Sequence, residues 1–179
     1  MKKIIFRVVL ALIILVALYE SYRVVPQIWR AYHAQPPETL GVVNGQLTPC
    51  PPTPNCVSTD ATLDTQKMAS LPYHGTLAES KAQLLKVVQA MPRNQLLANQ
   101  DNYLAFLFRT QWIGYPDDVE FYFDDAAKVI HFRSAARLGR GDRGFNRARM
   151  TAISDAYNAA TATAPTVTLA YHQAQITLP

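Results

Sequence analysis

Apolar and polar positions divide the chain into an apolar N-terminal block, an irregular stretch and a patterned domain. Residues 8–19, VVLALIILVALY, form an unbroken apolar run, and Ile4 to Phe6 extend it backwards across Arg7. The clearest two-residue alternation lies between 117 and 133. Val119, Phe121 and Phe123 alternate with Glu120 and Tyr122, and Ile130 and Phe132 alternate with Val129, His131 and Arg133. This predicts strands at 119–123 and 129–133, joined by Asp124 to Lys128. Only one parity of register puts both apolar sets on one face. The shortest such pairing sets Phe123 opposite Ile130 and Phe121 opposite Phe132. Glu120 then faces Arg133 as an opposite-charge pair on the outer face.

Thr76-Leu-Ala-Glu79 matches a capping box, and Leu77, Leu84, Leu85, Val88 and Met91 follow at helical spacing, predicting a helix over 77–91 that Pro92 ends. Gln95 to Asn99 and Tyr103 to Thr110 read as strands across a turn at Gln100-Asp101-Asn102. The second of these is apolar on both faces, as an interior strand is. A strand or extended segment is expected at Leu71 to His74, while Val57 to Thr65 is polar and turn-rich. Phe145 to Ala160 predicts a second helix. The tail after Pro165 has a β-like alternation in Val167, Leu169 and Tyr171. The expected fold is α+β: an N-terminal membrane-anchor helix, then about four antiparallel strands with two helices packed on one face. The other face, carrying Arg109, Glu120, Tyr122, His131 and Arg133, is either solvated or half of a binding surface.

The apolar run of about 16 residues is slightly short of the roughly 20 of a relaxed membrane-spanning helix. No A-x-A-like pair lies between Ala17 and Ala34, so an uncleaved signal anchor is the better reading than a cleaved signal peptide. Lys2, Lys3 and Arg7 favour a cytoplasmic N-terminus, and Tyr19, Tyr22 and Trp29 suit the interface beyond the span. The expected layout is an anchor at 1–22, a tether at 23–46 interrupted by Pro26, Pro36 and Pro37, and an extracytoplasmic domain at 47–179. The location this implies is the inner membrane, single-pass, with the domain on the periplasmic side. Cys50 and Cys56 frame CPPTPNC. Two cysteines are half a zinc site, and the spacing is not C-x-x-C. A structural disulfide in an oxidising compartment fits best.

Charge adds little. The net charge of +4 comes without any Lys/Arg run interleaved with stacking aromatics, and Asp117-Asp118 and Asp124-Asp125 would repel a phosphate backbone, so nucleic acid is not expected as a partner. Candidate chemistry gathers in the arginine-rich turn. Arg133, Arg137, Arg140, Arg143, Arg147 and Arg149 surround Gly139, Gly141 and Gly144 at the start of the second helix. Such a turn is a candidate anion cradle, built from Arg133, Arg137, Asp142, Asn146, Arg147 and Asp118. The competing reading is an internal network. In it Glu120 pairs with Arg133, Arg137 with Asp118 or Asp117, and Asp142 caps the helix and pairs with Arg143 or Arg147, while Asn146 satisfies turn backbone. Asp117 and Asp118 are adjacent on a strand and point to opposite faces, so they cannot act as an acid/base pair. Ser134 has no histidine partner on its face. No phosphate-loop motif and no metal triad is present, so no catalytic residue, metal or cofactor is assigned.

Three ordered motifs carry a resemblance: LTPCPPTPNCVS at 47–58, YPDDVEF at 115–121 and RSAARLGRGDRGFNRAR at 133–149. Together they resemble the domain-of-unknown-function family numbered 1499, whose pattern joins a P-C-P-x-S-P-N-C-V-S loop, a D-D-V-E-F strand and an R-S-x-S-R-x-G-x-x-D-x-G-x-N-R-x-R segment. The resemblance covers roughly residues 40–160. Thr53 and Ala136 stand where the family has serines, and Arg143 where an apolar residue is common. Ala136 argues against essential serine chemistry at that position. The resemblance implies an exported or membrane-tethered domain and no particular activity. Three functional readings follow. The first is a membrane-tethered periplasmic accessory or binding module, holding an anionic small molecule, a lipid headgroup or an envelope protein at the arginine turn. The second is an envelope hydrolase or transferase centred on Asp118, Arg133 and Arg137. The third is a purely structural interaction domain.

Overall fold

The protein is described by a computed structural model covering residues 1–160; the predicted tail strand lies outside the described residues. A long helix, α1 (Lys2–His33), precedes a short hairpin of β1 (Val42–Val43) and β2 (Gln46–Leu47). There follow β3 (Cys56–Ser58), β4 (Leu71–Pro72), α2 (Leu77–Gln89), β5 (Asn94–Gln100), β6 (Tyr103–Arg109), β7 (Pro116–Asp124), β8 (Val129–Ala136) and α3 (Phe145–Ala159). The main sheet has six strands in the order β3-β8-β7-β6-β5, with β4 also paired to β8. All of its strand pairs are antiparallel. The expected four strands are thus correct as far as they go. Of the two further strands, β4 falls in the segment expected at Leu71 to His74, while β3 lies at the start of a stretch expected to be turn-rich; both are short and take their pairing from the long edge of β8.

The β7–β8 register sets Phe123 opposite Ile130, Phe121 opposite Phe132 and Glu120 opposite Arg133, as the alternation predicts. Asp124 closes the hairpin by accepting hydrogen bonds from the amides of Ala126 and Ala127. Helix α2 starts at a complete capping box: the Thr76 hydroxyl accepts from the Glu79 amide, and the Glu79 carboxylate accepts from the Thr76 amide. That exchange satisfies two backbone donors that the first turn leaves orphaned. Leu84 and Val88 of α2, Met91 just beyond its end, and Met150, Ile153 and Tyr157 of α3 pack with Leu104, Phe106, Phe121, Phe123, Ile130 and Phe132 into one core. This buries the helix-facing side of the sheet.

Two expectations need correcting. Helix α1 continues through Pro26 to His33. Proline removes one amide, leaving the Tyr22 carbonyl without its usual donor, yet the helix resumes and ends just ahead of Pro36-Pro37. The second correction concerns the sheet face away from α2 and α3, which is not solvated. Tyr103 and Ala105 pack there against Leu47, Val42 and Tyr122, and Glu120 is wholly buried beside Arg133. The chain's own residues 31–47 lie across this face. The Glu120–Arg133 pair is therefore an interior ion pair, not a surface one.

Candidate functional site

The six candidate residues fall in three places. Asp118, Arg133 and Arg137 share the sheet face covered by residues 31–47. Asn146 lies on the opposite face, between the sheet and α3. Asp142 and Arg147 sit at the start of α3.

On the covered face, Arg137 and Arg133 each have a carboxylate partner. The Arg137 guanidinium donates from Nε and Nη2 to the two Asp118 carboxylate oxygens at 2.8 and 2.6 Å. Its Nη1 donates to the Ala34 carbonyl at 2.9 Å. Arg133 Nη1 donates to Glu120 at 3.2 Å. The other Glu120 oxygen accepts from the Tyr103 hydroxyl at 2.8 Å and from the Gly41 amide at 2.7 Å. Burial, followed by the Glu120 charge, pushes the Tyr103 hydroxyl far above its ordinary pKa, so it stays a donor. A buried carboxylate with fewer donors would be strongly destabilising; the amide of the covering segment supplies one of the three.

Arg109, on the same face, completes a pattern that the sequence does not show. It donates to the carbonyls of Ala31 and Gly114 at 3.2 and 3.0 Å, and its guanidinium lies 5.6 Å from the Tyr32 ring centroid. The Tyr115 hydroxyl donates to Gln27 at 2.7 Å. Arg109 and Arg137 thus reach carbonyls at and just beyond the C-terminal turn of α1, where orphaned acceptors and the negative end of the helix dipole favour cations. Ala31 is fully buried by this docking.

On the helix side, Arg149 is enclosed. It donates to Asp117, and to Ser134 Oγ and Asn146 Oδ1 at 3.0 and 2.7 Å. Ser134 itself donates to Asn146 Oδ1 at 2.5 Å, so its hydroxyl is held by an amide and a guanidinium rather than by any base. Burial holds the Asp117 carboxyl above its ordinary value, and the adjacent Arg149 offsets only part of that rise. Asn146 Nδ2 donates to the Asn55 carbonyl at 3.1 Å, and Asn55 Nδ2 donates to the Gly139 carbonyl at 2.9 Å. Asn55 therefore ties the arginine turn to the Cys50–Cys56 loop, which is closed by a disulfide. Its position just before Cys56 was the available signal, though nothing in its spacing says what it holds.

At the start of α3, Asp142 caps by accepting from the Gly144 and Asn146 amides at 3.0 and 2.8 Å. Gly144 takes φ of 80° there, a left-handed conformation that glycine adopts without strain. Arg147 donates to the carbonyls of Thr65 and Lys67 rather than to Asp142. Of the turn's arginines, Arg140 and Arg143 are the exposed ones. Two open concavities of about 420 and 560 Å³ lie elsewhere, lined chiefly by residues 38–49 together with Gln100, Asn102 and Tyr103, and none of the six candidates lines them. Among the described residues no group of three or more His, Cys, Asp or Glu is placed to hold a metal ion.

The family model described as "Protein of unknown function (DUF1499)" matches residues 46–156. No curated protein and no solved structure matches the chain.

Proposed function

Since the chain belongs to the DUF1499 family of proteins of unknown function, its role has to come from its own geometry, and we propose that it is a membrane-anchored accessory module that works by binding, not by catalysis, on the periplasmic side of the inner membrane. The observation carrying this reading is the use made of the polar sheet face. Of the residues a hydrolase or transferase would need free, Asp118 and Arg137 are engaged with each other, Arg133 with Glu120, and Arg137 also with the Ala34 carbonyl at the end of α1. The domain is thereby seated on its own anchor. Helix α1 is long and apolar enough to cross a membrane. The disulfide supports an oxidising compartment, and the lysines before the span support a cytoplasmic N-terminus.

The test is topology together with ligand response. A C-terminal alkaline phosphatase fusion should be active and a C-terminal green fluorescent protein fusion dark, with Cys50 and Cys56 unreactive to alkylation before reduction. The opposite fusion pattern would overturn the location. Thermal unfolding of the full chain in detergent against a panel of anionic metabolites addresses small ligands. A ligand at a hundred times its dissociation constant should stabilise by about 2.7 kcal/mol. A shift lost in Arg140→Ala/Arg143→Ala would move the reading to a soluble anion held by the exposed part of the turn.

A further inference from the structure

We infer that the arginine turn and the β6–β7 loop face the bilayer, with Trp112 in the interfacial layer and Arg140 and Arg143 against anionic lipid headgroups. This rests on the membrane-anchored reading above and adds the surface and its ligand class.

The orientation follows from the order in which the domain meets α1. Tyr115 contacts Gln27, Arg109 contacts Ala31, and Arg137 contacts Ala34. Farther along the chain the Gly41 amide reaches Glu120. Going back down the helix towards the span, the contacts move from the interior of the sheet to the start of β7 and the loop preceding it. That end of the sheet therefore points at the membrane. The register fixes what else lies there. Arg109 pairs with Pro116, Asp117 with Ala136 and Cys56 with Ala135. The 110–115 loop, the arginine turn that follows β8 and the disulfide loop ahead of β3 thus leave the sheet at one end.

The distances agree. A span of about 20 residues begun at Ile4 ends near Arg23. Gln27 lies four residues farther on, about 6 Å at 1.5 Å per residue. The headgroup layer adds roughly 5–8 Å on each side of the hydrocarbon. The loop docked at Gln27 is thus at headgroup depth. Its tip carries Trp112, 89% exposed, the residue type enriched at membrane interfaces. On α1, Tyr22 at the end of the span is 80% exposed, and Trp29, about 3 Å past Gln27 along the helix, is 63% exposed. The charge fits as well. At this end Asp117 and Asp118 are engaged with Arg149 and Arg137, and Asp142 with backbone amides. Arg140 and Arg143 are left exposed to meet a negatively charged surface, where each basic side chain adds attraction.

The experiment uses the full chain in vesicles of phosphatidylcholine with or without phosphatidylglycerol, brominated high on the acyl chains. The sequence has two tryptophans, so Trp29→Phe leaves Trp112 alone and Trp112→Phe leaves Trp29 alone. The expected result is a blue-shifted Trp112 emission quenched by brominated lipid. The quenching should be stronger with phosphatidylglycerol, and Arg140→Glu/Arg143→Glu should abolish that extra quenching while Trp29 quenching and the thermal midpoint stay unchanged. Failure of the chain to float with vesicles overturns the anchored reading and this inference together. Quenched Trp29 beside a water-exposed, unquenched Trp112 leaves the anchor standing and overturns the inference. Trp112 quenching that ignores both phosphatidylglycerol and the arginine changes overturns the headgroup role of the turn.

Discussion

Replacing Arg137 with alanine tests whether the covered sheet face is held by matched charge. The side chains of Arg137 and Asp118 are only 6% and 3% exposed. Removing the guanidinium leaves Asp118 buried with neither of its two charge-assisted hydrogen bonds. Breaking a buried pair in this way costs about 3–5 kcal/mol, and the lost bond to the Ala34 carbonyl adds roughly 1 kcal/mol. For a chain of this size each kcal/mol lowers the midpoint by about 2–4 °C, so a fall on the order of 10 °C is expected for the full chain in detergent, followed by circular dichroism. Most of that loss belongs to the stranded carboxylate, so Arg137→Ala/Asp118→Ala should recover the larger part of it. The residual deficit should resemble that of Arg109→Ala, which removes a comparable contact to α1 without orphaning an acid. A double variant no more stable than the single one, or a single variant within about 1 °C of the parent, would refute the reasoning and return Arg137 to the pool of ligand-binding candidates.

Two further outcomes are expected. Cys50→Ser/Cys56→Ser should lose about 2–3 kcal/mol, the loop-closure entropy of so short a ring, seen as a lower midpoint that reductant no longer changes. Burial, followed by the Asp125 and Asp124 charges, pushes the Tyr73 hydroxyl up to about 12. The folded state thus holds this proton more tightly than the unfolded chain, so the associated stability is complete below about pH 10 and lost as pH rises towards 12. Ultraviolet titration should show several late-ionising tyrosines, Tyr103 and Tyr157 among them, and Tyr73→Phe should remove one; an unchanged late-ionising fraction in that variant would contradict the burial argument.

The hairpin was legible because its period is two and one face is apolar, so a single register satisfies Phe121, Phe123, Ile130 and Phe132 together. Helix α2 was legible because capping chemistry is local to Thr76 and Glu79. The pairing of β3 and β4 was hidden, since neither Cys56–Ser58 nor Leu71–Pro72 has a pattern of its own. The candidate site was half legible. Arginine composition located the turn, and the Arg137–Asp118 and Arg133–Glu120 partnerships were within reach of charge counting. What could not be read is that the third hydrogen bond of the Arg137 guanidinium goes to a main-chain carbonyl about a hundred residues upstream. Backbone groups carry no signature in sequence, so a guanidinium bound to a helix end looks the same as one waiting for an anion.

The seating of the domain on Gln27, Ala31 and Ala34 also makes α1 a screw. Each residue of an α-helix turns the chain by about 100° while raising it about 1.5 Å. With α1 crossing the membrane as proposed, a single alanine inserted between Tyr19 and Tyr22 would therefore swing the whole domain by that angle about the helix axis, relative to whatever the span packs against. Four inserted residues would bring it nearly back into phase, about 6 Å higher. The number of residues between span and seat is thus a setting of azimuth, and two copies whose spans met in the bilayer would present their domains at an angle decided by that count.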